Sequence, residues 1–107
     1  MSGLSPARRR ELKARAHQLD PVVLIGGSGL STRVLEEIDR SLKSHELIKV
    51  RVGGADRAMR EAIFEEICRQ TGAQAVQHIG KILVLFRETP ESSDPAKARA
   101  VRQATRT

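Results

Sequence analysis

The sequence predicts an α/β two-layer domain in which helices pack on a mixed four-stranded sheet, in the order α-β-α-β-α-β-β. Three observations lead to this prediction. Apolar residues at helical spacing alternate along the chain with short runs typical of strands. The length of 107 residues suits one domain. A helix separates the first two strands, which favours a parallel pair, whereas only a tight turn separates the last two.

The first helix is predicted to begin at Pro6 and to end before Pro21. Ser5 is a favourable N-cap, and proline fits the first turn because its missing N–H would have no helical partner there. The residue before a proline is pushed out of the α region, so Asp20 ends the helix. The apolar face that we expect in the core consists of Leu12, Ala16 and Leu19.

An unbroken apolar run, Val22 to Ile25, predicts a first strand that is covered on both faces. A second helix is predicted from about Ser31 to Ser44, after the segment Gly26-Gly27-Ser28-Gly29. Residues 47–52 then alternate apolar and basic side chains, which predicts a half-buried strand with a basic outer face. That outer face carries Lys49 and Arg51.

Turn residues delimit the remaining elements. Asp56 follows a Gly53-Gly54 turn and caps a third helix that runs to Thr71, just before a glycine stop. Two strands, Gln74–Ile79 and Ile82–Arg87, form a hairpin across Gly80-Lys81. We therefore expect residues 1–87 to form the domain, and residues 88–107, rich in Pro, Ser, Ala and charge, to form a basic disordered tail.

The formal charge of +6 indicates a polyanionic partner. Arginine outnumbers lysine 14 to 5, and its planar guanidinium can hold phosphate bidentately. The first 20 residues hold five basic and two acidic residues, so half of the excess charge lies on the first helix. The two aromatic residues, Phe64 and Phe86, fall at core-like positions, which argues against binding by stacking of bases on aromatic rings.

Other features exclude several classes of protein. No apolar run approaches the ~20 residues that cross a bilayer, and no secretory signal is visible. A single cysteine, Cys68, fits a reducing compartment, and we expect a cytoplasmic monomer without membrane contact. The three histidines show no triad or metal-ligand spacing. We expect no enzymatic activity, no metal and no cofactor.

The segment Gly26–Gly29 is the most informative motif. It lies between an apolar strand and a helix start, where backbone N–H groups lack helical partners and the helix dipole is positive. Glycines let the backbone approach an anion closely, so the segment is suited to hold phosphate. The alternative is a tight turn without a ligand. Neither the Walker nor the dinucleotide-binding fingerprint is met.

Basic residues extend this candidate surface. Those of the first helix have only Glu11 as a close counter-charge, and a merely solvated face is the alternative interpretation. Together with the glycine segment they favour a nucleic-acid partner. The candidate RNA-binding residues are Gly26, Gly27, Ser28, Gly29, Arg33, Arg8, Arg9, Arg10, Lys13, Lys49, Arg51 and Arg57.

Three separated blocks resemble the YhbY-type CRM domain family. They read LDPVVLIGGSGL, HELIKV and IGKILVLFR, and the match runs in one order from about Leu4 to Arg87. The resemblance implies a domain similar to the C-terminal domain of the third bacterial translation initiation factor. It also implies RNA binding and, for single-domain bacterial members, association with precursors of the large ribosomal subunit.

The GxxG loop of this family corresponds to Gly26–Gly29. Its middle often carries a basic or larger polar residue, whereas this chain has Gly27-Ser28, so backbone N–H groups and Arg33 are the expected contacts. The loop joins a strand to a helix, which disfavours a KH domain. We expect a ribosome assembly factor that holds RNA mainly by its backbone. The alternatives are a module docking on an acidic or ribosomal protein and a small phosphate-ester enzyme.

Overall fold

Three helices and four strands make up the part of the chain that the computed structural model describes, residues 4–88. The helices are α1 (Pro6–Ala16), α2 (Thr32–His45) and α3 (Arg57–Thr71). The strands are β1 (Val23–Ile25), β2 (Leu47–Val52), β3 (Gln74–Ile79) and β4 (Ile82–Phe86). The predicted element order is confirmed. The predicted tail lies, beyond Glu88, outside the described residues.

Short polar side chains begin the helices at the predicted positions. Ser5 Oγ accepts a hydrogen bond from the Arg8 N–H at 3.1 Å, and Asp56 Oδ1 accepts one from the Met59 N–H at 2.8 Å. Each cap satisfies a backbone donor that has no partner within the helix. Gly72 ends α3 with a φ of 77°, a left-handed conformation that glycine adopts without strain.

The sheet has the strand order β1-β2-β4-β3. β1 pairs parallel with β2, with Val23 opposite Val50, and the other two pairs are antiparallel. The predicted mixed sheet is therefore confirmed. A register shift between Ala75 and Gln77 marks a bulge in β3.

Helices cover both faces of this sheet. α2 and α3 bury one face in a cluster that includes Ile38, Ile67 and Leu83. α1 buries part of the other face, where Leu12 belongs to a cluster with Val84. Neighbouring residues of β4 thus enter different clusters, because successive side chains of a strand point to opposite faces. The α/β class is confirmed, and α1 adds a layer to the two that were expected.

The expectation that β1 is covered on both faces is wrong. Val23 and Ile25 are buried against α2 and α3, but Leu24 is 69 % exposed and Val22 is 44 % exposed. β1 is an edge strand, and α1 packs on β2, β3 and β4. Leu19 lies beyond the end of α1 and is 37 % exposed, so it does not extend the helical core face as expected.

An ion pair joins α2 to the residue that follows β4. Arg87 Nη1 donates to Asp39 Oδ1 at 2.7 Å and to the Thr71 carbonyl oxygen at 2.8 Å. The hydrogen bond from Arg87 holds the pKa of the Asp39 carboxyl below its ordinary value. The folded protein therefore favours the deprotonated form of Asp39.

We predict that this pair makes part of the stability dependent on pH. Because the folded-state pKa is lowered, the contribution is complete above the unfolded-state pKa and is lost as the pH falls toward the folded-state pKa. The Asp39 side chain is 38 % exposed, so the loss should stay below about 1 kcal/mol. Urea unfolding between about pH 6 and pH 3 should show a steeper decline for the wild type than for Asp39→Asn. Equal declines would contradict the prediction.

Candidate nucleic-acid interface

Three turns meet at one end of the sheet, which we call the glycine end. They are Gly26–Gly29, Gly53-Gly54 and Gly80-Lys81. The Gly53 N–H donates to the Ile25 carbonyl oxygen at 2.8 Å, and the Val52 N–H donates to the Lys81 carbonyl oxygen at 2.8 Å. The end of β2 therefore holds the two glycine turns and the hairpin side by side.

The loop Gly26–Gly29 is largely exposed and is closed by one turn hydrogen bond. The Gly29 N–H donates to the Gly26 carbonyl oxygen at 3.0 Å, and Gly29 has a φ of 80°. L side chains rarely adopt that conformation. A Cβ placed on Gly26 or Gly27 would meet nothing within 4 Å, so the space beside these two residues is open to a ligand.

α2 begins directly after this loop. Ser31 Oγ accepts from the Val34 N–H at 3.2 Å and caps the helix. The N–H groups of Thr32 and Arg33, in the first turn, have no acceptor within the helix, and the dipole of α2 places partial positive charge here. The backbone alone thus favours an anion, as expected for a loop without a basic residue at its middle.

A cleft of about 370 Å³ separates Gly26–Leu30 from Val52–Asp56. A Cβ on Gly54 would lie 3.5 Å from the Gly27 Cα, so the two glycine turns approach closely. The Asp56 carboxylate lines the cleft but is engaged in capping α3. Five of the residues that line the cleft are glycines, whose backbone a phosphate or sugar group can approach without meeting a side chain.

Four exposed cationic side chains belong to the segments that converge on the glycine end: Arg33, Arg51, Arg57 and Lys81. Arg33 lies in the first turn of α2, and Arg57 begins α3. Arg57 Nε lies 3.3 Å from Glu61 Oε2, and within residues 4–88 the other three form no ion pair. Lys81 was missing from the predicted RNA-binding residues, because only the pairing of β4 with β2 places its hairpin here.

Arg60 ties two of the three turns together. Its Nη1 donates to the Ala55 carbonyl oxygen at 2.6 Å, and its Nε lies 3.3 Å from His78 Nε2. His78 Nε2 also lies 3.1 Å from the Gly80 carbonyl oxygen. Arg60 is therefore a positioning residue between the Gly53-Gly54 turn and the hairpin, and no motif in the sequence marks it.

Two predicted RNA-binding arginines of α1 have structural contacts. Arg9 donates to two backbone carbonyls at the bulge of β3, that of Val76 at 3.1 Å. The Arg8 guanidinium lies 5.0 Å from the centre of the Phe86 ring and pairs with Glu11 at 2.8 Å. These contacts fix α1 on the sheet, near the end of β4 that is remote from the glycine end.

The structure therefore does not bring the predicted residues into one surface. Arg10 is exposed and Lys13 half-buried on α1, on the opposite face of the sheet from α2 and α3, and within residues 4–88 neither forms an ion pair. Lys49 Nζ donates to the Leu19 carbonyl oxygen at 3.0 Å, which ties β2 to the segment that follows α1. Arg10 and Lys13 form a second basic surface, separate from the glycine end.

Cys68, the single cysteine, lies in a structural environment. Cys68 packs against the core cluster of α2 and α3, and burial raises the pKa of its thiol to about 11. At neutral pH it is a protonated thiol, a poor nucleophile. In the part of the chain described here, no three His, Cys, Asp or Glu residues are arranged to hold a metal ion, and no helix is long and apolar enough to cross a membrane.

Residues 4–87 match the family model of the CRS1 / YhbY (CRM) domain. The chain is 50 % identical over 92 residues to a Haemophilus influenzae protein named RNA-binding protein, which covers 86 % of this chain and 93 % of that protein. It is 38 % identical over 88 residues to a probable RNA-binding protein of Pseudomonas aeruginosa, covering 82 % of this chain and 85 % of that protein.

Solved structures and longer proteins contain similar domains. The solution structure of a Staphylococcus aureus protein, described as a candidate RNA-binding protein, superposes with a TM-score of 0.73 at 32 % identity and covers 80 % of this chain and 90 % of that chain. A CRM-domain containing factor of Zea mays is 28 % identical over 99 residues, which cover 88 % of this chain and 12 % of the maize protein.

We predict that Arg9 stabilises the fold and that Arg10 does not. Replacing Arg9 with Gln leaves carbonyl groups of β3 without their donor and should lower the free energy of unfolding by about 1–2 kcal/mol. Arg10→Gln is the matched control, because the exposed Arg10 side chain makes no hydrogen bond or ion pair within the described range. Urea denaturation measures both. Equal stabilities of the two variants would show that Arg9 does not anchor α1.

Proposed function

Because the chain belongs to the CRS1 / YhbY (CRM) domain family, we propose that it binds RNA through the glycine end. The observation that carries this proposal is the open loop Gly26–Gly29 at the first turn of α2, close to four exposed cations. Membership of this family also confirms that the chain is not an enzyme. The names of the bacterial relatives, which describe RNA-binding proteins, support the proposal.

The RNA backbone is the part of the ligand that this arrangement recognises. Unpaired N–H groups at a helix N-terminus and guanidinium groups are donors, and phosphate oxygens accept from both. Arg33 lies in the first turn of α2, so a phosphate bound at the loop meets positive charge from Arg33 and from the dipole of α2. Arg57 begins α3 on the other side of the cleft, where it is paired with Glu61. The second basic surface, Arg10 and Lys13, holds a more distant part of the same RNA.

We further propose that the RNA is ribosomal RNA within precursors of the large ribosomal subunit, and that the protein assists their assembly as a cytoplasmic monomer. The family supports this proposal, and so does binding by backbone and shape, which suits a folded RNA with few readable base edges. Residues 88–107 add a net charge of +1 to the chain.

We predict that Gly27→Leu weakens RNA binding while the fold persists. A Cβ on Gly27 meets nothing within 4 Å, so the protein accommodates the side chain, but the added bulk occupies the space where phosphate would approach the loop. The affinity should fall at least about tenfold, the effect of losing one charge-assisted hydrogen bond. Fluorescence anisotropy with a labelled ribosomal RNA fragment measures the affinity.

Ala62→Leu serves as the control, because Ala62 is exposed on α3 and this substitution adds a similar apolar bulk outside the cleft. Its affinity should equal that of the wild type.

The logarithm of the wild-type binding constant should also fall with the logarithm of the salt concentration, by roughly 0.7 for each phosphate contacted in a single strand. If Gly27→Leu binds RNA as tightly as the wild type, the loop is a turn without a ligand. If the wild-type affinity does not change with salt concentration, the protein does not recognise the RNA backbone.

The ribosomal part of the proposal has its own test. In cell extracts separated on sucrose gradients, the tagged protein should sediment with precursors of the large subunit and should leave that fraction after ribonuclease treatment. Gly27→Leu should shift it toward the top of the gradient, whereas Ala62→Leu should not. Association that survives ribonuclease would favour docking on a ribosomal protein.

A further inference from the structure

One row of side chains crosses all four strands on the face that carries α1. The register places Leu24 beside Arg51, Arg51 beside Ile82, and Ile82 beside Ile79. Ile82 packs against the α1 cluster, and the flanking residues Val50 and Val52 enter the cluster of α2 and α3. All four members of the row therefore project on the α1 face. We call Leu24, Arg51, Ile82 and Ile79 the open row.

α1 leaves most of this row uncovered. The buried contacts of Leu12 and Ala16 are made with residues nearer the other end of the sheet, among them Leu47 and Phe86. In the open row, Leu24 is 69 % exposed and Ile79 is 49 % exposed. Arg51 is exposed, and Ile82 is half-buried. The face thus divides into a half covered by α1 and an open half adjoining the glycine end.

The open row is not explained by the core. A strand with one solvated face normally carries polar side chains on that face, yet three of the four members are aliphatic. The two exposed aliphatic members, Leu24 and Ile79, lie at the two ends of the row and belong to neither buried cluster. Since β1 needs only Val23 and Ile25 for the core, Leu24 has no role in the fold that requires an apolar side chain.

The position of the row beside the glycine end favours RNA as its ligand. Each strand reaches a turn of the glycine end within one or two residues of the row: Leu24 before Gly26, Arg51 before Gly53, and Ile79 and Ile82 around Gly80-Lys81. A chain whose phosphates lie at the glycine end would have its bases within reach of the row. With ~4.8 Å between neighbouring strands, the four residues of the row span about 14 Å. A surface formed by these four residues is much smaller than the ~800 Å² that each partner buries in a standard protein interface.

The chemistry of the row also fits bases. Arginine guanidinium planes stack on nucleobases, and Arg51 lies between the aliphatic side chains of Leu24 and Ile82. The two phenylalanines are in the core and do not supply a stacking surface. The row contains no carboxylate that would repel a nucleotide.

We infer that the open row binds the bases of unpaired nucleotides whose phosphates are held at the glycine end. This inference rests on the proposed function and names its substrate class. In an A-form duplex the faces of the bases are stacked on one another and do not reach such a surface, whereas the bases of loops, bulges and single strands do. The ligand is therefore an unpaired segment of RNA.

The test compares three probes on the full-length protein: a ten-residue oligouridylate, an abasic ribose-phosphate chain of the same length, and a duplex RNA of the same length. We expect the wild type to bind oligouridylate about tenfold more tightly than the abasic chain, the size of effect that stacking of a base gives. The variant Leu24→Gln/Ile79→Gln should lose this preference and bind the abasic chain as the wild type does.

Leu19→Gln is the matched control, because Leu19 is an exposed leucine outside the row, and it should keep the preference. Arg51→Lys keeps the charge but removes the plane, so it should reduce the preference for oligouridylate and leave the salt dependence unchanged. Thermal unfolding of each variant checks that the fold persists. We expect unfolding temperatures close to that of the wild type, because Leu24 and Ile79 are exposed.

The outcomes separate this inference from the proposed function. If the wild type binds oligouridylate and the abasic chain equally, the row does not bind bases, although backbone recognition stands. Unchanged oligouridylate binding by Leu24→Gln/Ile79→Gln would overturn the inference as well. If the wild type binds none of the three probes at low salt, the proposed function fails, and the inference fails with it.

Discussion

The parallel pairing of β1 with β2 is the constraint on which the glycine end of the molecule depends. Parallel strands end at the same edge of a sheet, so the turns that follow them, Gly26–Gly29 and Gly53-Gly54, must meet. The antiparallel pairing of β2 with β4 then brings the Gly80-Lys81 hairpin to that edge. Ligands of α/β sheets bind in the crevice outside the carboxyl ends of the strands. The glycine end lies at such a crevice.

The position of α1 on the sheet is the second feature that determines which surfaces are exposed. Leu12 and Ala16 bury half of one sheet face, and Arg9 secures the helix through backbone carbonyls of the β3 bulge. Because α1 crosses only that half, the open row stays accessible beside the glycine end. The same placement carries Arg10 and Lys13 away from the loop. One helix thus determines both where a basic surface lies and which part of the sheet faces solvent.

Elements whose signals are local were predicted well. Ser5, Asp56 and Gly72 act at helix ends through contacts within a few residues, and the Gly80-Lys81 hairpin joins strands that are adjacent in the chain. Local chemistry also pointed to the loop Gly26–Gly29, because a glycine-rich segment before a helix N-terminus has the same donors in any fold. The family resemblance found in the sequence is confirmed by the match over residues 4–87.

Other features of the structure depend on long-range packing and could not be predicted from local sequence patterns. The apolar run 22–25 fits a strand with one buried face as well as one with two, so only the position of β1 at the sheet edge showed that Leu24 is exposed. Likewise, charge along α1 did not reveal that Arg9 binds carbonyl groups of a strand 66 residues away. Composition and spacing were enough to predict the order of the elements and a polyanionic partner, and the family resemblance pointed to RNA. Which cations share a surface, and which apolar residues stay exposed, depended on strand order, because sequence neighbours separate and distant residues meet only when the sheet assembles.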